Sequence, residues 1–312
     1  MIRVSVILPS YNRPAFLRAA VDSVFAQTLP DWELVIADDG SDGETRGYVQ
    51  ALGRDPRVQV VSLDHSGNPG AVRNAAAQRA RGHWLAFLDS DDVWMADKLE
   101  RQLQAMAAHP ERQWSYGAID RIDATGNVIP RRTPAHPRPQ GDILEDVIRW
   151  RAGIAMPTVM VTRELFARVG GFDEAHPMFE DFDLWLRLAT ASPATAIDVP
   201  LAGVRFHATH YGSHGERGYR DWIALFERWR PRISAAHLQR ALDEQCVACL
   251  IGIAHARIAA GRPVDALRVM FEGRPGAWHH ANWWTGATRI ALRSLLPLPH
   301  ARAARGPEHA AD

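Results

Sequence analysis

The stretch Trp84-Leu85-Ala86-Phe87-Leu88-Asp89-Ser90-Asp91-Asp92 constrains this chain more than any other. A short apolar run reads as a buried strand, and it ends in three carboxylates within four residues. Ionised carboxylates are costly to bury without partners, so the cluster belongs at a strand exit where it can meet a cation. Asp89 and Asp91 stand two apart, and in extended backbone their side chains leave on the same side. A pair of hard oxygen ligands so placed suits Mg²⁺ or Mn²⁺, and such an ion suits a diphosphate. Taken alone, the stretch reads equally well as a solvated turn that caps the following helix.

Three further strands precede it. Val4-Ser5-Val6-Ile7-Leu8 is apolar almost throughout, as in a central parallel strand, and Pro9-Ser10-Tyr11-Asn12-Arg13-Pro14 ends it. A helix follows with Phe16, Leu17, Ala20, Val21, Val24 and Phe25 on one face, and Pro14 suits its first turn. No glycine stands at this junction, which removes the main support for a dinucleotide-binding G-x-G-x-x-G loop. Leu34-Val35-Ile36-Ala37 forms the second strand and runs into Asp38-Asp39-Gly40-Ser41. Acids just past a strand commonly bind ribose hydroxyls or a base edge, although a capped turn explains Gly40 and Ser41. Val58-Gln59-Val60-Val61 is the third strand, and Gly70-Ala71-Val72-Arg73-Asn74 opens an alanine-rich helix. Arg73 together with first-turn amides makes an anion site, or is a solvated helix arginine. Asp39, Arg73 and the Asp89–Asp92 cluster thus share one edge of one sheet, the edge at which open α/β sheets bind ligands.

Downstream, a helix carrying Lys98, Leu99, Leu103 and Met106 leads to the strand-like run from Trp114 to Ile122. Gly126-Asn127 suits a hairpin turn before Val128-Ile129, and residues 130–141 are a proline- and arginine-rich loop. After Gly170-Gly171-Phe172-Asp173, Glu180 and Asp181 stand at the start of an amphipathic helix with Leu184, Trp185 and Leu188. A carboxylate there serves either as a general base facing a cleft or as an ordinary N-terminal cap. A strand-like run from Ala196 to Phe206 precedes His207, His210 and His214, whose spacing matches no zinc motif.

From about residue 216 the pattern is helical. Trp222, Leu225, Phe226 and Trp229 share a face, and Leu238 to Ile258 is a second run. Cys246 and Cys249 fall within that run and read as small buried helix residues. From Arg262 to Arg305 there are seven arginines and two acids, with Trp278, Trp283 and Trp284 among them. Arg289 and Arg293 fall on one helix face, with Ile290, Leu292, Leu295 and Leu296 elsewhere. This suits either a membrane interface or a helical cap on the rest of the chain. The formal charge is zero, which argues against nucleic acid as a partner. Neither a secretory signal nor an 18-residue apolar run is legible in the sequence, so the expectation is a cytoplasmic protein that can adhere to the inner face of the membrane.

In this order and spacing, Pro9-Ser10-Tyr11-Asn12, Asp38-Asp39-Gly40-Ser41, Gly70-Ala71-Val72-Arg73-Asn74, Asp89-Ser90-Asp91-Asp92, Gly170-Gly171-Phe172-Asp173 and Glu180-Asp181 resemble a family 2 glycosyltransferase. The resemblance implies a GT-A fold over residues 1–215: α/β, Rossmann-like, with a mostly parallel central sheet flanked by helices. Residues 216–312 are then a C-terminal helical extension. It also implies an inverting hexosyltransferase that uses Mn²⁺ or Mg²⁺ and a nucleotide-sugar donor, UDP-sugars first. The acceptor would be a glycan or lipid-linked acceptor in cell-surface polysaccharide synthesis. By the same resemblance Tyr11 and Asp39 contact the nucleoside, Arg73 lies near the nucleotide, and Pro9, Asp38 and Ser90 line the donor site. Asp91 holds the metal, Asp89 faces the donor's ribose or sugar, His207 completes the metal or diphosphate site, and Asp181 is the catalytic base. Two other readings compete: a nucleotidyltransferase, which lacks its Gly-rich phosphate loop here, and a non-catalytic sugar-nucleotide-binding scaffold subunit.

Overall fold

The structure, a computed structural model, describes residues 2–130, 136–206, 215–272, 283–288 and 290. The chain divides into two compact units. Within the described residues the first comprises 2–147 and 151–206, the second 148–150 and 215 onward.

In chain order the first unit contains β1 (Val4–Ser10), α1 (Pro14–Phe25), β2 (Trp32–Asp38), α2 (Gly43–Leu52), β3 (Val58–Ser62), α3 (Pro69–Arg79) and β4 (Trp84–Phe87). After them come β5 (Val93–Trp94), α4 (Lys98–Ala107), β6 (Trp114–Ile122), β7 (Val128–Ile129), α5 (Leu144–Ile148), β8 (Met160–Thr162), α6 (Arg163–Arg168), α7 (Glu180–Ala191) and β9 (Ala194–Arg205). One sheet holds all nine strands in the order β3-β2-β1-β4-β8-β6-β9-β5, with β7 on β6. The long ladders are parallel: β1 lies between β2 and β4, β3 pairs with β2, and β9 pairs with β6. The antiparallel joints are two or three residues long. This is the α/β, mostly parallel sheet expected from the resemblance.

Why these segments pair is visible in their burial. β2 is buried at every position, as a central strand covered on both faces must be. α1 turns Leu17, Ala20, Val21 and Val24 into the core against Val4, Val6 and Leu8 of β1, and each leucine or valine among them contributes about 1.5–3 kcal/mol by leaving water. β1 runs through Pro9 to Ser10 rather than stopping at Leu8. The β4 pairing ends at Ile7 opposite Phe87, so the missing Pro9 N–H falls where β1 has a single neighbour.

The second unit consists, in its described residues, of α8 (Gly215–Trp229), α9 (Ala236–Ala259), α10 (Pro263–Met270) and helical turns over 283–288. No strand occurs among them. Trp222, Leu225, Phe226 and Trp229 of α8 are buried together, as their spacing predicts. Val247, Leu250, Ile253, Val269, Met270, Trp283 and Ile290 form the core. Gly252 lets α8 approach α9, because a Cβ there would lie 2.3 Å from the Tyr219 ring. Cys246 and Cys249 are free, one turn apart on α9. Burial pushes both thiols up, Cys246 to about 12, so neither is a ready nucleophile. No helix among the described residues is long and apolar enough to cross a membrane. His210, His214, Trp278, Arg289 and residues 291–296 lie outside the residues whose side chains are described.

Candidate active site

The sheet brings the acidic turn to a fixed place by holding it at both ends. β4 enters it from the middle of the sheet, and two-residue β5 leaves it to pair with Gly203 and Ala202 of β9. The Asp92 N–H donates to the Asp89 carbonyl at 3.1 Å, which closes the turn. The three acids then diverge. Asp92 is buried, and its carboxylate accepts the Arg205 N–H at 2.9 Å. Burial first, then the charges of Asp89 and Asp91, push the Asp92 carboxyl well above the usual range. Asp89 and Asp91 are half-buried. Asp91 meets the Arg13 guanidinium at 3.2 Å across an exposed pair, and Asp89 meets Arg73 at 2.6 Å.

Arg205 is a residue that sequence spacing did not single out. Buried at the end of β9, it donates through Nε to the Asp91 carbonyl at 2.8 Å and through Nη1 to the carbonyls of Asp123 and Ala124. Its backbone and side chain both hold the acidic turn. His207, two residues on, lies outside the described residues.

Arg73 is the hub of the site. It stands on the second turn of α3, whose N-cap Asn68 accepts the Ala71 N–H. Its guanidinium, only 8% exposed, bridges Asp89 at 2.6 Å and Glu180 at 3.0 Å and sits 5.5 Å from the Phe172 ring centre. Burial opposes its charge, but Asp89, Glu180 and Asp181 outweigh burial and hold it protonated. Burial and two ion pairs exclude the solvated helix arginine.

The Gly70–Asn74 and Gly170–Asp173 motifs prove to be two halves of one joint. Asn74 donates to the Phe172 carbonyl at 2.9 Å and accepts the Phe172 N–H at 2.9 Å. A Cβ on Gly70 would lie 3.1 Å from Phe172 Cβ and 3.2 Å from Glu180 Cγ. One on Gly171 would lie 2.7 Å from Asn74 Oδ1, at a φ of +65°. The joint seats the start of α7 against α3. Phe179 takes a left-handed conformation just before α7, at φ 58°, which costs on the order of 1–3 kcal/mol and recurs at functional sites. Asn12 and Arg13 do the same at the other side, before α1.

Glu180 and Asp181 open α7. Burial first, then the Asp181 charge, push the Glu180 carboxyl up to about 7, while Arg73 pulls it down. Asp181 is half-buried and accepts the Phe182 N–H at 2.6 Å. Asp183, the third acid of the turn, is committed to Arg187 at 2.8 Å.

Asp38 and Asp39 face different surroundings. Asp39 is held by the 65–67 loop: Oδ1 accepts from Ser66 N at 2.8 Å and Ser66 Oγ at 2.9 Å, Oδ2 accepts from Gly67 N at 3.1 Å, and His65 Nδ1 lies 2.9 Å from Oδ2. Burial raises its pKa, but these bonds outweigh burial and hold its carboxyl below the usual range. The Tyr11 ring lies stacked on His65, centroids 4.0 Å apart. Asp38 instead lines a cavity of about 250 Å³ with Arg46, Gln50, Ser62 and Leu63. Its Oδ1 is buried and has no hydrogen-bond partner among the described residues. The structure therefore brings Asp89, Arg73, Glu180 and Asp181 together, with Asp91 and Arg13 at their side. Tyr11 and Asp39 form a second group through His65, whereas Asp38 does not join them. Pro9 and Ser90 are half-buried at the ends of β1 and β4.

Among the described residues no three acidic, His or Cys side chains converge as a ready metal cage. The donor chemistry nonetheless fits a divalent cation. Asp89 and Asp91 stand half-buried at the strand exit, and Mg²⁺ or Mn²⁺ takes one or two carboxylates with the remaining ligands from phosphate and water.

Known proteins resemble this chain in sequence and in fold. Residues 5–170 match the family described as Glycosyl transferase family 2. The Escherichia coli UDP-Glc:alpha-D-GlcNAc-diphosphoundecaprenol beta-1,3-glucosyltransferase WfgD is 33% identical over 195 residues, 62% of this chain and 73% of WfgD. The putative teichuronic acid biosynthesis glycosyltransferase TuaG of Bacillus subtilis is 46% identical over 104 residues, 33% of this chain. The chain spans 41% of the length of TuaG and 33% of an uncharacterized Rickettsia felis glycosyltransferase that is 34% identical over 203 residues. Residues 1–349 of S. aureus TarS, solved with UDP-GlcNAc, superpose with a TM-score of 0.66 at 19% identity, over 93% of this chain and 90% of that one. The Pyrobaculum calidifontis mannosyltransferase PcManGT, solved with GDP-Man and Mn²⁺, does so with 0.61 at 18%, over 94% and 86%. Both share the GT-A fold. By its matched residues and its relatives, the chain belongs to glycosyl transferase family 2.

Proposed function

We propose that the protein is an inverting hexosyltransferase that moves a sugar from a nucleoside-diphosphate sugar, a UDP-sugar first, to a hydroxyl of a glycan or lipid-linked acceptor in cell-surface polysaccharide synthesis. The observation that carries this reading is the Arg73 bridge. It ties Asp89 of the acidic turn to Glu180, the neighbour of Asp181, so that donor-binding acids and a candidate base are held in one rigid arrangement. The UDP-Glc in the name of WfgD, the UDP-GlcNAc bound by TarS and the teichuronic acid in the name of TuaG support the donor and the pathway class.

In this reading Tyr11 and Asp39 receive the nucleoside, with the Tyr11–His65 stack giving way to the base. Pro9, Asp38 and Ser90 border the donor, and Asp89 orients its ribose or sugar. Asp91 would hold Mg²⁺ or Mn²⁺, with His207 as a further ligand, and the ion when bound neutralises charge on the departing diphosphate. Asp181 accepts the proton of the acceptor hydroxyl. The acceptor oxygen bonds to the anomeric carbon from the face opposite the nucleotide. The bond from that carbon to the phosphate oxygen breaks, its electron pair leaves with the diphosphate, and the single displacement inverts the centre. Arg73, kept charged between two acids, lends positive charge beside the leaving group. Residues 1–215 carry this chemistry, and the helical region beyond serves the acceptor.

Asp181→Asn tests the assignment. The variant is expected to lose transfer while it still binds UDP with Mn²⁺. Turnover comparable to the parent would remove Asp181 as the base, and loss of both properties would show a structural role instead.

A further inference from the structure

The start of α1 is built against the acidic turn. Arg205 donates from Nε to the Asp91 carbonyl at 2.8 Å, and its guanidinium lies 4.8 Å from the ring centre of Phe16, in the first turn of α1. Asn12, just ahead of the helix, donates its N–H to Ser41 Oγ at 2.9 Å and accepts the Asp42 N–H at 3.2 Å. Arg13, the N-cap residue of α1, is thereby presented to Asp91, and its Nη1 lies 3.2 Å from Oδ2.

The backbone at Arg13 does not favour an arginine. It is left-handed, at φ 58° and ψ 53°, and Asn12 before it is left-handed as well. That region is costly for a long side chain and comfortable for asparagine or glycine. An asparagine would also cap the helix, whereas Arg13 makes no side-chain cap. What the arginine supplies here is its reach to Asp91. The two exposed acids of the turn also differ in how their counter-cations are held. Arg73 is 8% exposed and bridges Asp89 to Glu180, so its departure would strand two carboxylates. The Arg13 side chain is 48% exposed, and an ion pair open to solvent is weak and readily exchanged. Mg²⁺ binds carboxylate oxygens at about 2.0–2.1 Å, and an ion that close to the Asp91 carboxylate repels a guanidinium resting on it.

We propose that Arg13 is a donor-binding residue with two successive partners. It holds Asp91 while that carboxylate has no divalent ion, and once the ion takes Asp91 it donates to the diphosphate of the donor. Its planar fork meets phosphate oxygens two at a time. The exchange keeps charge beside Asp91 balanced before and after the donor arrives. Arg13 therefore competes with the metal alone and assists the nucleotide that comes with it. The inference rests on the proposed function, from which it takes the metal and the diphosphate.

The test is Arg13→Asn in the full chain, read by binding and not by turnover. Without ligand the variant is expected to melt no lower than the parent, because asparagine suits the left-handed backbone and can cap α1. Mn²⁺ alone, followed by electron paramagnetic resonance, is expected to bind roughly two- to fivefold more tightly, the value of an exposed ion pair removed from competition. UDP with saturating Mn²⁺, followed by calorimetry, is expected to bind about tenfold more weakly, the value of a charge-assisted hydrogen bond. Uridine, which has no phosphate and is followed by ligand-detected NMR, is expected to bind as it does to the parent. The inference is overturned by Mn²⁺ binding that is unchanged or weaker, by unchanged UDP affinity, by uridine weakened as much as UDP, or by a lower melting temperature, which would make Arg13 a structural residue. A parent chain that binds no UDP with Mn²⁺ overturns the proposed function and this inference together. A parent that binds UDP no better than Arg13→Asn does overturns this inference alone.

Discussion

Replacing Arg73 by Met tests the architecture of the site. The guanidinium carries ion pairs of 2.6 Å to Asp89 and 3.0 Å to Glu180, and is nearly buried. Met fills comparable volume and can rest against Phe172, so the loss is mainly electrostatic. It strands two carboxylates that already share their surroundings with Asp181. Removing one member of a fully buried ion network costs about 3–5 kcal/mol. Glu180 is deeply placed and Asp89 is partly in water, which lowers the expectation to about 2–4 kcal/mol. In a domain of this size that is a fall in Tm of roughly 5–15 °C. The pH dependence sharpens the test. Glu180 is pushed up to about 7 in the folded protein from 4.5, so its protonated form contributes stability that is fully present below about 4.5 and lost as pH rises through about 7. Without Arg73 the Glu180 charge is still less favourable, so the deficit of Arg73→Met is larger at pH 8 than at pH 5. Adding Glu180→Gln removes one stranded charge and recovers about 1–2 kcal/mol at pH 8. Urea denaturation at both pH values measures the parent, Arg73→Met, Glu180→Gln and the double variant. A deficit below about 1 kcal/mol, or no recovery in the double variant, would refute the bridge as the organising contact.

Asp92→Asn keeps the oxygen that accepts the Arg205 N–H and removes a charge that burial disfavours. It should change stability by less than about 1 kcal/mol and preserve nucleotide binding, as read by urea denaturation and calorimetry. Gly171→Ala puts a Cβ within 2.7 Å of Asn74 Oδ1 at a positive φ, so a loss of about 2–3 kcal/mol is expected in the same denaturation assay. Lys98 is fully buried, its Nζ has no hydrogen-bond partner among the described residues and lies 3.7 Å from the Trp94 ring centre, and burial pushes its pKa well down. Lys98→Met should therefore stabilise by about 1–3 kcal/mol. The gain should be larger at pH 6 than at pH 9, because the unfolded chain binds the proton that the folded lysine rejects.

The strands of the sheet's parallel half were legible because a strand covered on both faces is a run of apolar residues, and each run here ends in polar residues at the same sheet edge. Val93–Trp94 and Met160–Thr162 escaped notice because two or three residues carry no period; only the ladders with β9, β4 and β6 make them strands. The candidate acids and Arg73 could be named from local spacing, yet their pairing could not. Arg73 and Glu180 are 107 residues apart, and it is the Asn74–Phe172 joint that brings them together. Nor does spacing distinguish Asp92 from Asp91. The first is drawn inward by the Arg205 N–H and the second meets Arg13 at the surface, a difference created by β9 arriving alongside the turn. Asp38 and Asp39 are neighbours whose side chains take different environments, as alternation near a strand end requires.

The claim that unites the site is that the acidic turn binds a nucleoside diphosphate through a divalent metal. Thermal unfolding of the full chain with UDP, GDP, dTDP or CMP, each with and without Mn²⁺, tests it most directly. A ligand at about 100 times its Kd adds roughly 2.7 kcal/mol to the native state, which raises Tm by about 5–10 °C in a chain of this size. The expected result is such a rise with UDP, dependent on Mn²⁺ and abolished by Asp91→Ala. No rise with any of the four nucleotides, or a rise that Asp91→Ala leaves intact, would contradict the assignment of the turn.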